Sequence, residues 1–209
     1  METETHTGQL TAQAPQLARI LAALTLYTGG PDQPNLQQAR ITPLLVENNA
    51  TTLLLEATDG YAAIRIYLNT ESHTLPLEAR TTFNPSDIGK ALKAAGINKN
   101  GIPVTLAFTA EHWELDSTYT AQTGQRHQIN GYPNTAQIWQ KIKAGDVQPH
   151  AIGTSQLARL AKVGKLLGDD GTPIQLVGNS GSELTPHLYT IESHGQRAEI
   201  IQMPIRTNK

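Results

Sequence analysis

The pattern of hydrophobic and polar positions from Leu53 to Leu68 predicts two paired β-strands. An aliphatic run reaches Asp59-Gly60, a dipeptide that favours a tight hairpin turn. After the turn, apolar and polar residues alternate along residues 61–68, which is the period of a strand with one buried face. The pattern therefore predicts a β-hairpin against which neighbouring elements pack.

Three other segments carry apolar residues at helical spacing. They predict helices around Leu17–Leu24, Ile88–Ala95 and Leu157–Leu167. Asn84 or Ser86 is expected to cap the second helix, and Thr154 or Ser155 the third, because short polar side chains accept hydrogen bonds from the first free N–H groups of a helix.

Strand patterns follow each helix, so the chain is predicted to be a repeat. Strands are expected at 41–47, 51–58 and 61–68 after the first helix, at 102–108, 112–119 and 124–129 after the second, and at 173–177, 186–191 and 198–205 after the third. Short extended segments precede the second and third helices at 80–83 and 150–152. The sequence thus predicts three copies of a unit with a short strand, a helix and three strands, starting near residues 10, 79 and 148.

These units predict both the fold class and the division into domains. The fold class is α+β, with repeated β-α-β-β-β half-domains whose helices lie on one side of antiparallel sheets. Residues 1–14 are polar and predict a flexible tail, residues 15–145 a domain of two half-units, and residues 146–209 a further half-unit. Two such units can share a core, so an odd third unit needs a partner, which predicts a homo-oligomer.

The composition is that of an ordinary globular protein. The 209 residues are 38% hydrophobic, carry a net charge of −2 and include no cysteine, which excludes disulfides and thiolate chemistry. The first residues lack the pattern of a signal peptide, and no apolar run approaches the roughly 20 residues that span a bilayer. We therefore expect a cytoplasmic protein that does not contact membranes.

Cations lie opposite the apolar stripe of all three predicted helices. They are Arg19 on the first helix, Lys90 and Lys93 on the second, and Arg159, Lys162 and Lys165 on the third. The only acidic residue of these helices, Asp87, lies in a first turn, where the helix dipole favours a negative charge. A net-acidic protein with basic helices is suited to hold a polyanion through its phosphates. For a single helix, an ordinary solvated surface explains its lysines equally well.

The sequence carries no signal for catalysis, a cofactor or a metal. The seven histidines show no HxxxH spacing, and neither a G-x-S-x-G elbow nor a glycine-rich nucleotide-binding loop occurs. Asp59 is the remaining catalytic candidate, but an aspartate before glycine usually serves the turn. We therefore predict a non-enzymatic protein.

Three short motifs follow one another along the chain: residues 57–61 read ATDGY, residues 129–134 read INGYPN and residues 203–206 read MPIR. They resemble the ATDGHR, G-x-F/Y-P-D/N and M-P-M-R segments of the bacterial DNA sliding clamp, the processivity subunit of the replicative DNA polymerase. The resemblance implies the DNA-clamp fold, a role in DNA replication, and a ring whose helices line a basic hole around duplex DNA.

The resemblance also implies which residues bind DNA and partners. The six helix cations would face duplex DNA, and a DNA polymerase or clamp loader would dock a short linear motif into an apolar cleft. That peptide-binding cleft would comprise Ile41, Thr58, Gly60, Tyr61, Met203, Pro204 and Ile205. For Met203, plain core packing is the alternative.

The chain also departs from the family. The clamps have six half-domains per chain, whereas three are counted here; Tyr61-Ala62 replaces the family's His-Arg pair, and the tail continues past Arg206. A ring of twelve half-domains would need four such chains. Otherwise the chain closes no ring and serves as a clamp-fold interaction or regulatory protein of phage or plasmid type.

Overall fold

The computed structural model of the protein describes residues 7–46, 51–70, 72–77, 79–126, 131–142, 152–178 and 186–203. These residues form two antiparallel sheets and three longer helices, which confirms the α+β prediction. In chain order the elements are β1 (Gly8–Gln13), α1 (Ala14–Thr25), a 3₁₀ turn (Pro34–Leu36), β2 (Ala39–Leu45), β3 (Thr51–Thr58), β4 (Ala62–Leu68), β5 (Ser72–His73), β6 (Thr81–Phe83), α2 (Pro85–Ala94), β7 (Pro103–Phe108), β8 (His112–Ser117), β9 (Thr120–Gln125), α3 (Ala136–Lys141), α4 (Thr154–Leu167), β10 (Ile174–Gly178), β11 (His187–Ser193) and β12 (Gln196–Gln202).

The elements repeat as the sequence predicts. Unit 1 is β1-α1-β2-β3-β4, unit 2 is β6-α2-β7-β8-β9, and the described part of unit 3 is α4-β10-β11-β12. The N-cap residues Gln13, Asn84 and Gly153 lie 71 and 69 residues apart, close to the period read from the sequence. Asn84 caps α2 by accepting hydrogen bonds from the N–H groups of Ser86 and Asp87.

Units 1 and 2 exchange their first strands. The five-stranded sheet has the order β5-β1-β7-β8-β9, so β1 of unit 1 pairs with β7 of unit 2. In the seven-stranded sheet, ordered β10-β11-β12-β4-β3-β2-β6, β6 of unit 2 pairs with β2 of unit 1. Because each unit completes the sheet of the other, the two units form one folding entity.

Unit 3 joins unit 1 through the last strands of both units. β12 pairs antiparallel with β4, with Ile200 opposite Ile64, and this pairing makes the seven-stranded sheet continuous. Helices α1, α2 and α4 lie on one side of the sheets, and α1 packs between α2 and α4. A single buried core joins the two units. It includes Leu24 of α1 and Leu55 of β3 from unit 1, and Val163 of α4 from unit 3.

Three expectations from the sequence need correction. Residues 8–13 are not a flexible tail but strand β1, because Leu10 and Ala12 are buried between β5 and β7. The strand expected at 124–129 is β9 at Thr120–Gln125, since Thr118 and Tyr119 suffice for a tight turn without glycine. Helix α4 is capped at Gly153 rather than at Thr154 or Ser155. Residues 150 and 151 lie outside the described residues.

Candidate nucleic-acid interface and partner cleft

The three helices carry their cations at equivalent positions. Arg19, Lys90 and Arg159 are each the sixth residue after the N-cap of their helix, and Lys93 and Lys162 are each the ninth. Arg19, Lys90, Lys93, Lys162 and Lys165 are exposed, as the amphipathic pattern predicts. The repeat therefore places its cations on the helical side of the molecule.

A groove of about 420 Å³ lies between α1, α2 and α4, and three of these cations line it. Lys90 and Lys93 come from α2 and Lys162 from α4, while Ala18, Leu21 and Ala22 of α1 contribute apolar surface. No aspartate or glutamate is among the residues lining the groove. Three ammonium groups on one groove outweigh the single carboxylate of Asp87 beside Lys90, and they produce a positive potential that favours a bound polyanion.

Lys90 and Lys165 form ion pairs with residues that are close to them in the chain, and both pairs are weak. The ammonium of Lys90 lies 3.5 Å from the carboxylate of Asp87, one turn earlier on α2, and that of Lys165 lies 3.0 Å from Asp170. Both pairs are exposed, so water screens them and each contributes little. Within the described part of the chain, no ion pair engages Lys93 or Lys162. As far as the described residues go, those two ammonium groups can contact a phosphate.

The sequence resemblance implies that Arg159 faces DNA, but in the structure its side chain contacts residues of unit 1. Its guanidinium lies 2.6 Å from the carboxylate of Asp59 at the hairpin and 5.1 Å from the ring centre of Tyr27. Tyr27 is fully buried, and this burial raises the pKa of its hydroxyl, although Arg159 acts in the opposite direction. Arg159 therefore holds unit 3 against unit 1 instead of presenting a free cation.

The β3–β4 hairpin is held by the side chains of its own turn. One carboxylate oxygen of Asp59 accepts hydrogen bonds from the N–H groups of Tyr61 and Ala62, at 2.9 and 2.7 Å. The Thr58 hydroxyl donates to the carbonyl of Ala62 and accepts from the N–H of Gly60. Gly60 has a φ of 87°, which favours glycine. Asp59 thus serves the turn, as the sequence suggests.

Tyr61 and Met203 lie together at the tip of this hairpin. The N–H of Met203 donates a 3.0 Å hydrogen bond to the carbonyl of Tyr61, and the side-chain amide of Gln156 donates to the carbonyl of Met203. Tyr61 is 75% exposed and Met203 39% exposed. The hairpin, the end of β12 and the start of α4 therefore meet where two apolar side chains reach solvent.

The remaining residues of the predicted cleft fall into three groups. Ile41 is fully buried and faces the core, so its assignment to the cleft is wrong: alternation along β2 turns it toward the helices. Thr58 is buried and occupied by the turn, whereas Gly60 is exposed. Pro204 and Ile205 lie outside the described residues.

The sequence analysis does not predict a row of buried charged residues in the seven-stranded sheet, on the face opposite α1, α2 and α4. Arg40, Glu56 and Arg65 are direct cross-strand neighbours on β2, β3 and β4. The carboxylate of Glu56 lies 2.6 Å from the Arg40 guanidinium and 2.8 Å from that of Arg65. Burial alone would raise the pKa of Glu56, but the two arginines outweigh it and hold that pKa below its usual value.

Residues 131–142 cover this charged row. The Arg40 guanidinium lies 4.6 Å from the ring centre of Tyr132, and that of Arg65 lies 4.2 Å from the ring of Trp139. The Tyr132 hydroxyl donates to the carbonyl of Glu56, and the Thr135 hydroxyl donates to its carboxylate. The sequence does contain an indication of this row. Three consecutive apolar strands each carry a charged residue at a position that points away from the hydrophobic core.

Two classes of site find no support in the described ranges. No group of three histidine, aspartate or glutamate side chains among these residues is placed to hold a metal ion. Among the same residues, no helix combines the length and apolar character needed to cross a membrane.

Comparison with known proteins connects this architecture to one class of structures. No protein-family model matches the chain, and no curated protein matches it in sequence. Among solved structures, it is similar to a DNA sliding clamp (DNA polymerase III subunit beta) from Bartonella birtlesii bound to griselimycin, with a TM-score of 0.65 and 11% identity over 95% of this chain. The chain has the fold of the DNA sliding clamps. The predicted clamp fold is thereby confirmed.

Two further structures show the breadth of the similarity. The DNA polymerase III beta chain from Streptococcus pneumoniae aligns with 97% of this chain at a TM-score of 0.62 and 10% identity. Proliferating Cellular Nuclear Antigen from Entamoeba histolytica aligns with 97% of this chain and 100% of its own length, at a TM-score of 0.57 and 10% identity. The chain spans 66% of the length of both bacterial clamps.

Proposed function

We propose that this protein is a non-catalytic, clamp-like protein of DNA replication that holds duplex DNA against its helices and tethers a partner at the β3–β4 hairpin. The observation that carries the proposal is the groove between α1, α2 and α4, where Lys90, Lys93 and Lys162 converge without a lining acid. Contacts between lysines and phosphates do not depend on the base sequence of the DNA. A protein that moves along DNA requires contacts of this kind.

The residue types that line the groove favour duplex DNA over single-stranded DNA. Single-strand binders combine cations with aromatic side chains on which bases stack. The groove is lined by lysines together with small, aliphatic and uncharged polar residues, and by no aromatic residue. We therefore expect contact with the phosphate backbone of an intact helix.

The hairpin tip supports the tethering role. Tyr61 and Met203 present an aromatic ring and a thioether to solvent beside the exposed Gly60. Flexible thioethers and aromatic rings are suited to bind a short apolar peptide segment. We propose that a DNA polymerase or clamp-loader-like protein binds here through a short linear motif.

Charge reversal tests the DNA-binding proposal. A chain with Lys90→Glu, Lys93→Glu and Lys162→Glu should lose binding to a labelled 30-base-pair duplex, measured by fluorescence anisotropy at low salt. Because all three side chains are exposed, the variant should fold like the wild type, which circular dichroism checks. Undiminished DNA binding by the folded variant would refute the proposal.

Removing two side chains tests the partner site. The double variant Tyr61→Ala, Met203→Ala should bind a labelled peptide that carries a polymerase clamp-binding motif at least ten times more weakly than the wild type. Griselimycin, the ligand of the Bartonella birtlesii structure, serves as a second probe. A matched control is Tyr119→Ala, because Tyr119 is as exposed as Tyr61 but lies in the β8–β9 turn. Equal effects of the variant and the control would refute the assignment.

One observation favours a second candidate function. Arg159 is occupied by Asp59, so the basic surface is smaller than the sequence predicts. A clamp-fold interaction or regulatory protein that does not encircle DNA would need no larger basic surface. Absence of DNA binding by the wild type, together with retained peptide binding, would select this second function.

A further inference from the structure

We propose that Gln156 and Arg159 of α4 are positioning residues for the partner site, where they hold Tyr61 and Met203 in the orientation that a partner peptide requires. This inference rests on the proposed function, because it concerns the same partner site at the β3–β4 hairpin. It adds the residues that fix the geometry of that site, and both of them belong to the helix of unit 3.

A closed ring of hydrogen bonds begins and ends on α4. The side-chain amide of Gln156 donates a 2.9 Å hydrogen bond to the carbonyl of Met203, and the N–H of Met203 donates a 3.0 Å bond to the carbonyl of Tyr61. The N–H of Tyr61 donates to one carboxylate oxygen of Asp59 at 2.9 Å, and the other oxygen accepts from Arg159 at 2.6 Å. Because Gln156 and Arg159 lie one turn apart on the same helix, α4 closes the ring.

Tyr61 and Met203 depend on this ring because little packing holds them. Both side chains reach solvent, so neighbouring side chains do not fix their direction. The ring engages the N–H and the carbonyl of each of the two residues, except that the carbonyl of Met203 is reached only by Gln156. A binding site whose backbone is already fixed loses less entropy when a ligand binds. The ring therefore prepares the partner site for its ligand.

The Arg159 end of the ring is held from two sides. The side chain of Arg159 is one-third exposed, and its guanidinium lies 5.1 Å from the ring centre of the fully buried Tyr27. Asp59 receives Arg159 on one oxygen and uses the other for the N–H groups of the hairpin turn. Both oxygens of Asp59 are thus engaged, so the position of Arg159 is passed directly to the turn that carries Tyr61.

The Gln156 end is held by the start of its own helix. The side-chain oxygen of Gln156 accepts a 3.2 Å hydrogen bond from the N–H of Gly153, which is the N-cap residue of α4. A glutamine at the third position after a cap is suited to this bond, which fixes its side chain. The nitrogen of the same amide donates to Met203. One side chain therefore links the start of α4 to the end of β12.

The equivalent cations of the other two helices make only local polar contacts. Arg159 is the sixth residue after its N-cap, and its equivalents are Arg19 in α1 and Lys90 in α2. Arg19 donates to the carbonyl of Pro15, and Lys90 pairs with Asp87. Among the residues that the structure describes, α4 is thus the one long helix that directs this cation at another unit. It does so where the partner site lies.

The variant Gln156→Glu separates positioning from helix capping. Glutamate keeps the oxygen that accepts from Gly153, and a negative charge in the first turn suits the helix dipole, so the variant should fold like the wild type. Its carboxylate cannot donate to the carbonyl of Met203. Binding of the labelled clamp-binding peptide, and of griselimycin as the second probe, should therefore weaken about five-fold, which is the effect of one lost hydrogen bond.

The matched control is Gln16→Glu on α1. Gln16 is also the third residue after the N-cap of its helix, so the control makes the same change of charge at an equivalent position outside the ring. It should bind both probes like the wild type. Wild-type affinity of Gln156→Glu overturns the proposal, and so does an equal loss of affinity in the control.

Substitutions of Arg159 test the other end of the ring. Arg159→Gln should weaken peptide binding about five-fold, and Arg159→Lys should restore most of the affinity because it keeps a cation beside Asp59. Arg197→Gln is the control, since Arg197 pairs with Glu199 at 2.7 Å on β12 and lies outside the ring. A loss that lysine does not reduce, or an equal loss in the control, overturns the role of Arg159.

Amide hydrogen exchange, measured by NMR, gives a readout that needs no partner. The N–H groups of Tyr61 and Met203 should exchange about five-fold faster in Gln156→Glu, while that of Leu55 in the middle of the seven-stranded sheet keeps its rate. Unchanged exchange at Tyr61 and Met203 overturns the proposal. Failure of the wild type to bind either probe would refute the tethering role itself and this inference with it, whereas wild-type affinity of Gln156→Glu would refute this inference alone.

Discussion

The guanidinium of Arg159 lies 2.6 Å from the carboxylate of Asp59, although the two residues are 100 positions apart in the chain. Arg159 belongs to α4 of unit 3, and Asp59 to the hairpin of unit 1. Their ion pair, together with the pairing of β12 with β4, holds the two units in register. The same helix carries Lys162 in the basic groove and Gln156 against the end of β12, so α4 connects the two candidate binding sites.

A double-mutant cycle measures the contribution of this ion pair. Arg159→Gln and Asp59→Asn should each lower the free energy of unfolding by about 1 kcal/mol, because the arginine is one-third exposed and partly screened. Asparagine keeps the oxygen that accepts from Tyr61 and Ala62, so the turn survives. Urea denaturation of the four proteins should give a coupling energy of about 0.5–1 kcal/mol. Strictly additive effects would show that the pair contributes nothing.

Thr135 should contribute to stability through one hydroxyl group. It is 1% exposed and donates to the carboxylate of Glu56 while accepting a 3.4 Å hydrogen bond from Arg40. Thr135→Val keeps the shape but leaves part of the buried charge unsatisfied, so it should cost about 1–2 kcal/mol in urea denaturation. Thr123→Val on the exposed side of β9 is the control and should stay within about 0.5 kcal/mol. Equal effects would exclude a role for the hydroxyl.

The pH dependence of stability should report the ionisation of Glu56. Its pKa is lower in the folded protein than its ordinary value of 4.5, so the unfolded chain takes up a proton first as the pH falls. The stabilisation is therefore complete above about pH 4.5 and is lost as the pH falls through the lower folded value.

The variant Glu56→Gln isolates this contribution. At pH 7 it should be clearly less stable than the wild type, because Arg40 and Arg65 lose a buried counter-charge. The difference in unfolding free energy should shrink as the pH falls below about 4.5, where Glu56 of the unfolded wild type takes up a proton, and should disappear once the pH is below the lower pKa of the folded protein. A difference that is constant from pH 7 to pH 3 would contradict the assigned charge.

Salt dependence separates cations that contact phosphate from those that do not. Lys162→Gln should lower DNA affinity and reduce the slope of log affinity against log salt by about 0.9, the value for one lost phosphate contact. Arg197→Gln removes one charge from an exposed position on β12, where the arginine already pairs with Glu199. It should leave the slope unchanged. Equal slopes for the two variants would show that DNA does not occupy the groove.

Several elements could be predicted from the sequence because local periodicity specifies them. The β3–β4 hairpin follows from alternation around Asp59-Gly60, and the three helices follow from apolar spacing and from breakers such as Gly96. The equivalent cations Lys90 and Arg159 follow from the same periodicity. These features depend on neighbours within about four residues, which a sequence displays directly.

Strand exchange could not be predicted, because it depends on contacts between distant segments. Residues 8–13 are too polar to indicate a strand alone, yet Leu10 and Ala12 are buried once β7 and β5 flank them. Likewise, alternation along β2 shows that Ile41 faces one side of a sheet, but only the packing of α1 makes that side the core. Strand pairing with β5 and β7 therefore decides the burial of residues 8–13, and the order of the sheet and helix layers decides the burial of Ile41.

The sequence alone determined the α+β repeat, its period near 70 residues, and the presence of cations opposite the apolar stripe of each long helix, because each depends on spacing within one segment. The tertiary structure decided how those cations are used. Arg159 pairs with Asp59, Lys90, Lys93 and Lys162 converge on one groove, and Leu157 is left uncovered. Charges and apolar side chains acquire their partners only when distant strands and helices are brought together, and a one-dimensional pattern does not contain those distances.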